Sequence, residues 1–393
     1  MEDVRIANSE YIRDLNLASI FRLIHKYGPV SRKELADNTG YSPATISNHV
    51  KRLLENGFVI ETDKGSSTGG RKPVYLTVNP KRGYLLAVDI GVNYVKVYLF
   101  DLNLHIKEQL KIARTKRTAG TLLPFLVKRI KKFCQDSEIN HSKIIGMGVA
   151  LPGLVDNERG YLHFAPNIKW QNVDIRKYFT EEFAFTILIE NEAKAAVIGE
   201  REIIYPEIDN IVFVSINEGI GCGLIIDGKL YLGSSGNAGE FGHIIIDSDG
   251  PECHCGNSGC WETLASMNYI INKYFETTGE KMDSLELIER VRLHPDQELL
   301  SIVKECAYNI AVGIVNIINS LSPELLVIGG DIIGLKKYIA EDIDRIIREN
   351  ALNISYEKAN IVYSKLGNKA AIYGLARMVF YNSIGKEIIK GYI

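Results

Sequence analysis

Residues 236–263, GNAGEFGHIIIDSDGPECHCGNSGCWET, constrain this chain more than any other stretch. Three of the six cysteines, Cys253, Cys255 and Cys260, fall within eight residues, and His243 precedes the first by ten positions. Three thiolates and one imidazole form the closed tetrahedral Cys₃His set of a structural Zn²⁺ site. Gly250, Gly256 and Gly259 let the backbone turn tightly enough to aim the thiolates at one point. His254 competes with His243 for the fourth position, although it stands between two ligands with little slack. Buried free cysteines without metal are the plain alternative. Glu240 and Glu262 lie among these residues and have no work at a zinc ion. The clasp is therefore expected to fix a loop that carries carboxylates beside a polar small-molecule site.

Residues 1–10 are polar and mixed in charge, without a signal-peptide pattern, and no apolar run reaches membrane-spanning length. A cytoplasmic location without membrane contact is expected, where clustered cysteines favour metal over disulfide. A length of 393 residues exceeds one ordinary core and implies two or three units. The net charge of -2 hides an asymmetry: residues 1–82 hold 13 Lys+Arg against 9 Asp+Glu, and the remainder 33 against 39. An electropositive first unit on an acidic body points to an anionic partner for the first unit alone.

That first unit reads as a helix-turn-helix with a wing. Leu17, Ile20, Phe21 and Ile24 recur at helical spacing before Gly28 and Pro29 stop the helix. Ser31 to Glu34 is a capping box, and Ser42 with Pro43 at the first helical position opens a third helix. Ile46, Val50, Leu53 and Leu54 form its buried stripe. The other face carries Ala44, Thr45, Ser47, Asn48, Lys51 and Arg52, small or basic residues suited to a DNA major groove and its phosphates. Strands near 58–61 and 74–78 flank a Gly/Ser-rich tip holding Arg71 and Lys72, placed for backbone or minor-groove contact. A winged domain that docks a protein is the competing reading. The junction falls at 80–83, giving units 1–82 and 83–393.

From residue 84 strands alternate with helices, an α/β plan. A strand ends in Asp89-Ile-Gly91-Val-Asn93, a second in Leu151-Pro-Gly153, and a third delivers Glu190-Asn191-Glu192 to a helix start. Side chains at carboxyl ends of strands face the crevice of an α/β sheet. His163, Asn167 and Trp170 stand in a stretch read as an irregular sugar-facing loop. Asn217-Glu-Gly-Ile-Gly-Cys-Gly223 is a Gly-rich turn of the kind that presents N–H groups to phosphate, here with Glu218 at its tip. Residues 263–320 look helical, Gly329-Gly330-Asp331 ends another strand, and a helix over 370–381 closes the chain. No internal repeat is visible.

Taken in order, Asp89/Gly91, Pro152/Gly153, Asn191/Glu192, the GIGCG turn, AGEFGH and CHCGNSGCWE resemble the ROK family of repressors and sugar kinases, over essentially the whole chain. With the winged helix in front, the chain is most similar to the repressor branch, and within it to the xylose repressors of Gram-positive bacteria. The resemblance implies a two-lobed actin/hexokinase-like (ribonuclease H-like) ATPase fold whose C-terminal helix returns to the first lobe. It implies zinc on His243, Cys253, Cys255 and Cys260, and a sugar pocket lined by Gly153, Asn167, Asn191, Glu192, Glu240, His243 and Glu262. Carboxylates and amides on a fixed scaffold suit sugar hydroxyls, each donor and acceptor at once. His243 would offer its second ring nitrogen to a hydroxyl.

Three departures bear on activity. Where the family's kinases carry a catalytic Asp after the Asn, this chain has Glu192, which displaces the carboxylate by about an ångström, enough to cost roughly a hundredfold. In the first phosphate turn Val92 and Asn93 replace Gly and Thr. In the second, Glu218 replaces Thr, and a carboxylate about 4 Å from a phosphate charge is opposed by roughly 4 kcal/mol at an effective dielectric near 20. The expectation is a non-enzymatic, sugar-responsive repressor acting on double-stranded operator DNA as a homodimer or homotetramer. Its effector is a monosaccharide, xylose foremost; an ATP-dependent sugar kinase is the alternative.

Overall fold

Two five-stranded sheets repeat one strand order although the sequence shows no repeat. The computed structural model describes residues 9–62, 74–114, 118–137 and 139–390. The amino-terminal unit holds α1 (Ser9–Tyr27), β1 (Val30–Ser31), α2 (Arg32–Thr39), α3 (Pro43–Glu55), β2 (Val59–Thr62) and β3 (Tyr75–Val78). Its strands pair in the order β1-β3-β2. The capping box of α2 is formed, with Ser31 Oγ accepting from Glu34 N at 3.2 Å and Glu34 Oε2 accepting from Ser31 N at 2.7 Å. Ser42 caps α3 through Thr45 N at 3.1 Å, with Pro43 following. Leu17, Ile20, Phe21, Ile24, Leu35, Ile46, Val50 and Leu53 close this unit's core, and Leu54 is only half-buried.

The first lobe contains β4 (Tyr84–Ile90), β5 (Tyr94–Asp101), β6 (Ile106–Ala113), α4 (Ala119–Asp136) and β7 (Ile144–Leu151). It continues with β8 (Leu154–Asp156), β9 (Tyr161–Ala165), β10 (Trp170–Asp174), α5 (Ile175–Thr180), β11 (Thr186–Asn191) and α6 (Glu192–Ile203). The second lobe adds β12 (Ile211–Ile216), β13 (Ile220–Ile226), β14 (Lys229–Leu230), α7 (Trp261–Ala265), α8 (Met267–Thr278), α9 (Ser284–Leu293) and α10 (Gln297–Leu321). It ends with β15 (Leu325–Gly329), α11 (Lys336–Asn350), α12 (Asn353–Lys358), β16 (Asn360–Tyr363) and α13 (Ala370–Lys390).

The sheets run β11-β7-β4-β5-β6 and β14-β13-β12-β15-β16. In each, the first strand is followed by two antiparallel neighbours on one side and two parallel ones on the other. This doubled topology is the two-lobed actin/hexokinase-like architecture. Helices α6 and α13 form the layer between the sheets. Alternation along β4 explains it: Leu85 and Ala87 join the core shared with α6 and α13, while Leu86, Val88 and Ile90 join the core on the α4 side. Helix α13 packs on β4 and β7, returning the chain's end to the first lobe, and also touches α1.

Two expectations are corrected. Residues 154–174 form a small antiparallel sheet, β10-β9-β8, rather than an irregular loop. The 25-residue α10 is long and apolar enough by length and composition to cross a membrane, contrary to the reading that no run reaches that length. Its buried residues, among them Leu299, Ile302, Ile310, Ile314 and Ile318, fill the second lobe's core.

Candidate functional site: a polar cleft and a cysteine clasp

A cavity of about 210 Å³ opens between the lobes, at the carboxyl ends of β4, β7 and β11 and beside the β12–β13 turn. Gly153, Asn167, Asn191, Glu192, Glu240, His243 and Glu262 all line it. Gly153 has φ +95°, and a Cβ there would stand 2.2 Å from the Phe164 carbonyl oxygen, so only glycine fits. Its carbonyl accepts from Asn191 Nδ2 at 2.9 Å. Asn191 also caps α6, its Oδ1 accepting from Ala193 N and Lys194 N at 2.9 and 3.2 Å. One amide N–H of Asn191 is thus left for a ligand. A Cβ on Gly219 would meet Glu262 Oε2 at 2.6 Å and Asn167 Nδ2 at 3.0 Å. Its absence is what lets those two side chains converge.

The clasp brings one ligand atom from each of His243, Cys253, Cys255 and Cys260 within 4.8 Å of one another. Cys253 Sγ to His243 Nδ1 and Cys255 Sγ to Cys260 Sγ are both 3.6 Å. A tetrahedron with Zn–S near 2.3 Å and Zn–N near 2.0 Å has edges of about 3.5–3.8 Å, so the donor set fits a zinc ion. His254 is exposed and outside the cluster, which leaves His243 as the fourth donor. His243 Nδ1 faces the thiols, while Nε2 lies 3.9 Å from Glu240 Oε2. Backbone geometry builds the turn: Gly259 has φ +68°, and a Cβ there would come within 1.5 Å of the Asp247 carbonyl oxygen. Directly after Cys260, Trp261 is buried and donates from Nε1 to the Asn309 carbonyl at 2.8 Å. It fills the space left by Gly313 on α10. This anchor sets the first turn of α7, and with it Glu262.

The other half of the cavity holds the two turns implied to grip phosphate in the kinases. Here Asn93 Nδ2 donates to Glu218 Oε1 at 2.8 Å, joining the turns across the lobes. Behind them lie Asp89, Glu192 and Asp331. Lys96 stands opposite Asp89 in the β4–β5 register and pairs with it at 3.6 Å. Glu192 accepts from Ser215 Oγ at 3.1 Å and Asn217 Nδ2 at 3.3 Å, and Asn217 Oδ1 accepts from Asp331 N at 2.8 Å. Burial, with the neighbouring Asp89 charge, pushes the Glu192 carboxyl up to about 7. Burial likewise raises Asp89, Glu218 and Asp331. An uncompensated anion would meet a wall of acids here.

The Gly-rich segment is corrected in part. The turn is confined to residues 217–219, and Ile220–Ile226 is strand. A Cβ on Gly223 would approach the Ala193 carbonyl oxygen to 2.3 Å, so this glycine admits α6 against β13 rather than phosphate. His163 is exposed and faces Tyr161, and Trp170 is buried in the first lobe's core with Arg114 over its ring. Neither lines the cavity. Residues missed by sequence reasoning include Lys96, Lys111 and Ser215; along a strand such residues read as ordinary alternation.

On α3, Ala44, Ser47, Asn48 and Lys51 are exposed, the last 3.8 Å from Glu55. Thr45 is half-buried with its hydroxyl 2.9 Å from that of Ser42, and Arg52 is half-buried. Arg71 and Lys72 lie outside the described residues.

The ROK family profile matches residues 85–381, and a winged helix-turn-helix DNA-binding profile matches residues 2–60. The xylose repressor of Bacillus spizizenii is 32% identical over 98% of this chain and 99% of its own length. A solved ROK family transcriptional regulator, described as a homolog of the Escherichia coli MLC protein, superposes with a TM-score of 0.81 at 25% identity, covering 96% of this chain and 99% of that one. A ROK family glucokinase from Streptomyces griseus in complex with glucose and AMPPNP matches at a TM-score of 0.66 and 25% identity, covering 75% of this chain and 99% of that one.

Proposed function

The chain belongs to the ROK family, with a winged helix-turn-helix in front, and on that footing we propose that it is a sugar-responsive DNA-binding repressor of carbohydrate-utilisation genes. Xylose is the foremost effector, in keeping with the xylose repressor it resembles along its whole length. The sugar sits on Asn167, Asn191, Glu192, Glu240, His243 and Glu262, with Gly153 shaping the floor. Zinc on His243, Cys253, Cys255 and Cys260 holds Glu262 and the His243 ring in place and does no chemistry on the ligand. The protein acts in the cytoplasm as a homodimer or homotetramer, as symmetric operators favour.

The observation that carries this reading is the Asn93–Glu218 bond. It occupies the phosphate side of the cleft and leaves the hydroxyl-binding side open, which favours sensing over phosphoryl transfer. The cleft can shift operator affinity only by the sugar's differential affinity for its two states. Calorimetry against a panel of pentoses and hexoses, with a coupled ADP assay on the same samples, tests it. A monosaccharide is expected to bind with no ADP formed beyond buffer. Sugar-dependent ADP release at ordinary kinase rates would establish the kinase instead, and heat-silent titrations across the panel would remove the sensor.

A further inference from the structure

Helix α6 connects the cavity to the winged helix. Its cap and first turn place Asn191 and Glu192 in the cleft, and its last turn carries Glu202. It lies on β12 and β13 of the second lobe, while its partner α13 lies on β4 and β7 of the first. Small apolar side chains of both helices pack around their crossing, and at its centre Gly199 and Gly374 bring backbone against backbone. A Cβ on Gly199 would meet the Ala370 carbonyl oxygen at 2.0 Å, and one on Gly374 would meet that of Ala195 at 1.8 Å. A crossing without large interlocking side chains at its centre is the kind of contact at which packed helices make small shear movements.

Beyond the crossing a buried polar chain runs through three bodies. Glu202 Oε2 accepts from Arg377 Nε at 2.9 Å and from Tyr381 Oη at 3.3 Å, while its Oε1 accepts from Arg201 Nη1 at 2.7 Å. Arg377, only 6% exposed, donates from Nη1 to His25 Nδ1 on α1 at 2.8 Å. Because Nδ1 accepts, the His25 proton sits on Nε2, which donates to the Leu102 carbonyl at 2.9 Å. Arg22 Nη2 adds a bond to the Tyr381 carbonyl at 3.2 Å. Around this chain the contact is apolar, with Phe21 stacked on Phe380 at 5.8 Å. Apolar packing alone would hold α1 in place without fixing its angle; a guanidinium committed on two sides has one geometry.

We propose that Glu202, Arg377 and His25 are positioning residues that convey lobe movement to the DNA-binding unit. A slide of α6 at the Gly199–Gly374 crossing moves Glu202 against Arg377, and Arg377 turns α1 through His25. This rests on the sensor reading above.

The test uses the full chain as wild type, Glu202→Gln, Arg377→Met and Arg377→Lys. Operator duplex selected from random DNA is titrated with and without the best-binding sugar of the panel, and sugar affinity is measured by calorimetry. The variants are expected to bind sugar within about twofold of wild type, while the ratio of operator Kd with and without sugar falls to near one, with partial recovery in Arg377→Lys. A merely structural role would lower the melting temperature without moving that ratio. Should Arg377→Met fail to fold, the near-isosteric Glu202→Gln carries the test. A wild type that ignores every sugar overturns the sensor reading and this inference with it. A responsive wild type with equally responsive folded variants overturns this inference alone.

Discussion

Burial, with the charge of Asp89 beside it, keeps much of Glu192 protonated at neutral pH, where an ordinary carboxylate is ionised. Its folded pKa of about 7 lies above the reference 4.5, so the carboxyl's contribution to stability is intact below pH 4.5 and is lost as pH rises through 7. Glu192→Gln should therefore raise the melting temperature at pH 8, by about 2–4 °C for each kcal/mol relieved, and change it little at pH 4.5, as differential scanning calorimetry will read. His25 has the opposite sense. Burial, with the Arg377 guanidinium beside it, holds it down to about 4 against a reference of 6.5. Its contribution is complete above pH 6.5 and falls as pH drops toward 4, by roughly 3 kcal/mol at most. Acid should loosen α1 first, seen as faster amide exchange in α1 than in α6 at pH 5. His25→Gln should remove that pH dependence. The sequence carried the departures at Val92, Asn93, Glu192 and Glu218, but not that Asn93 and Glu218 bond to each other. They lie 125 positions apart, and pairing at that separation is a tertiary fact.

At the scale of elements, the local signals were the legible ones. The capping box of α2, the Ser-Pro start of α3 and the cysteine spacing depend on neighbours a few residues away, and each was written in the chain. The β8–β10 sheet was not, because its strands are three to five residues long and too short for a clear alternation. The Gly-rich segment misled because glycine serves close helix packing as readily as it serves phosphate. Two consequences follow at this scale. Removing zinc with a strong chelator should release one metal per chain by mass spectrometry and weaken sugar binding at least tenfold, since Glu262 and His243 lose their support; unchanged sugar affinity in metal-free protein would detach the clasp from the cleft. On α3, Lys51→Ala should weaken binding to all DNA sequences about equally and reduce the salt slope by about one, measured by anisotropy at several ionic strengths.

The whole molecule is a reader fastened to a two-lobed body through the layer that separates the lobes. The α/β plan behind a winged helix-turn-helix was visible because strand runs and the winged-helix pattern differ in period. The doubled sheet order was not, since the two halves share topology without shared residues. Nor was the α1–α13 contact, which joins the two ends of the described chain. That contact gives movement in the cleft a short route to the DNA-binding unit. The measurement that tests this most directly is operator binding by fluorescence anisotropy at fixed salt, repeated across a titration of D-xylose. The operator Kd should shift at least tenfold, with its midpoint at the calorimetric Kd of the sugar; isotherms that superimpose through millimolar xylose, glucose and the other sugars of the panel would contradict the account.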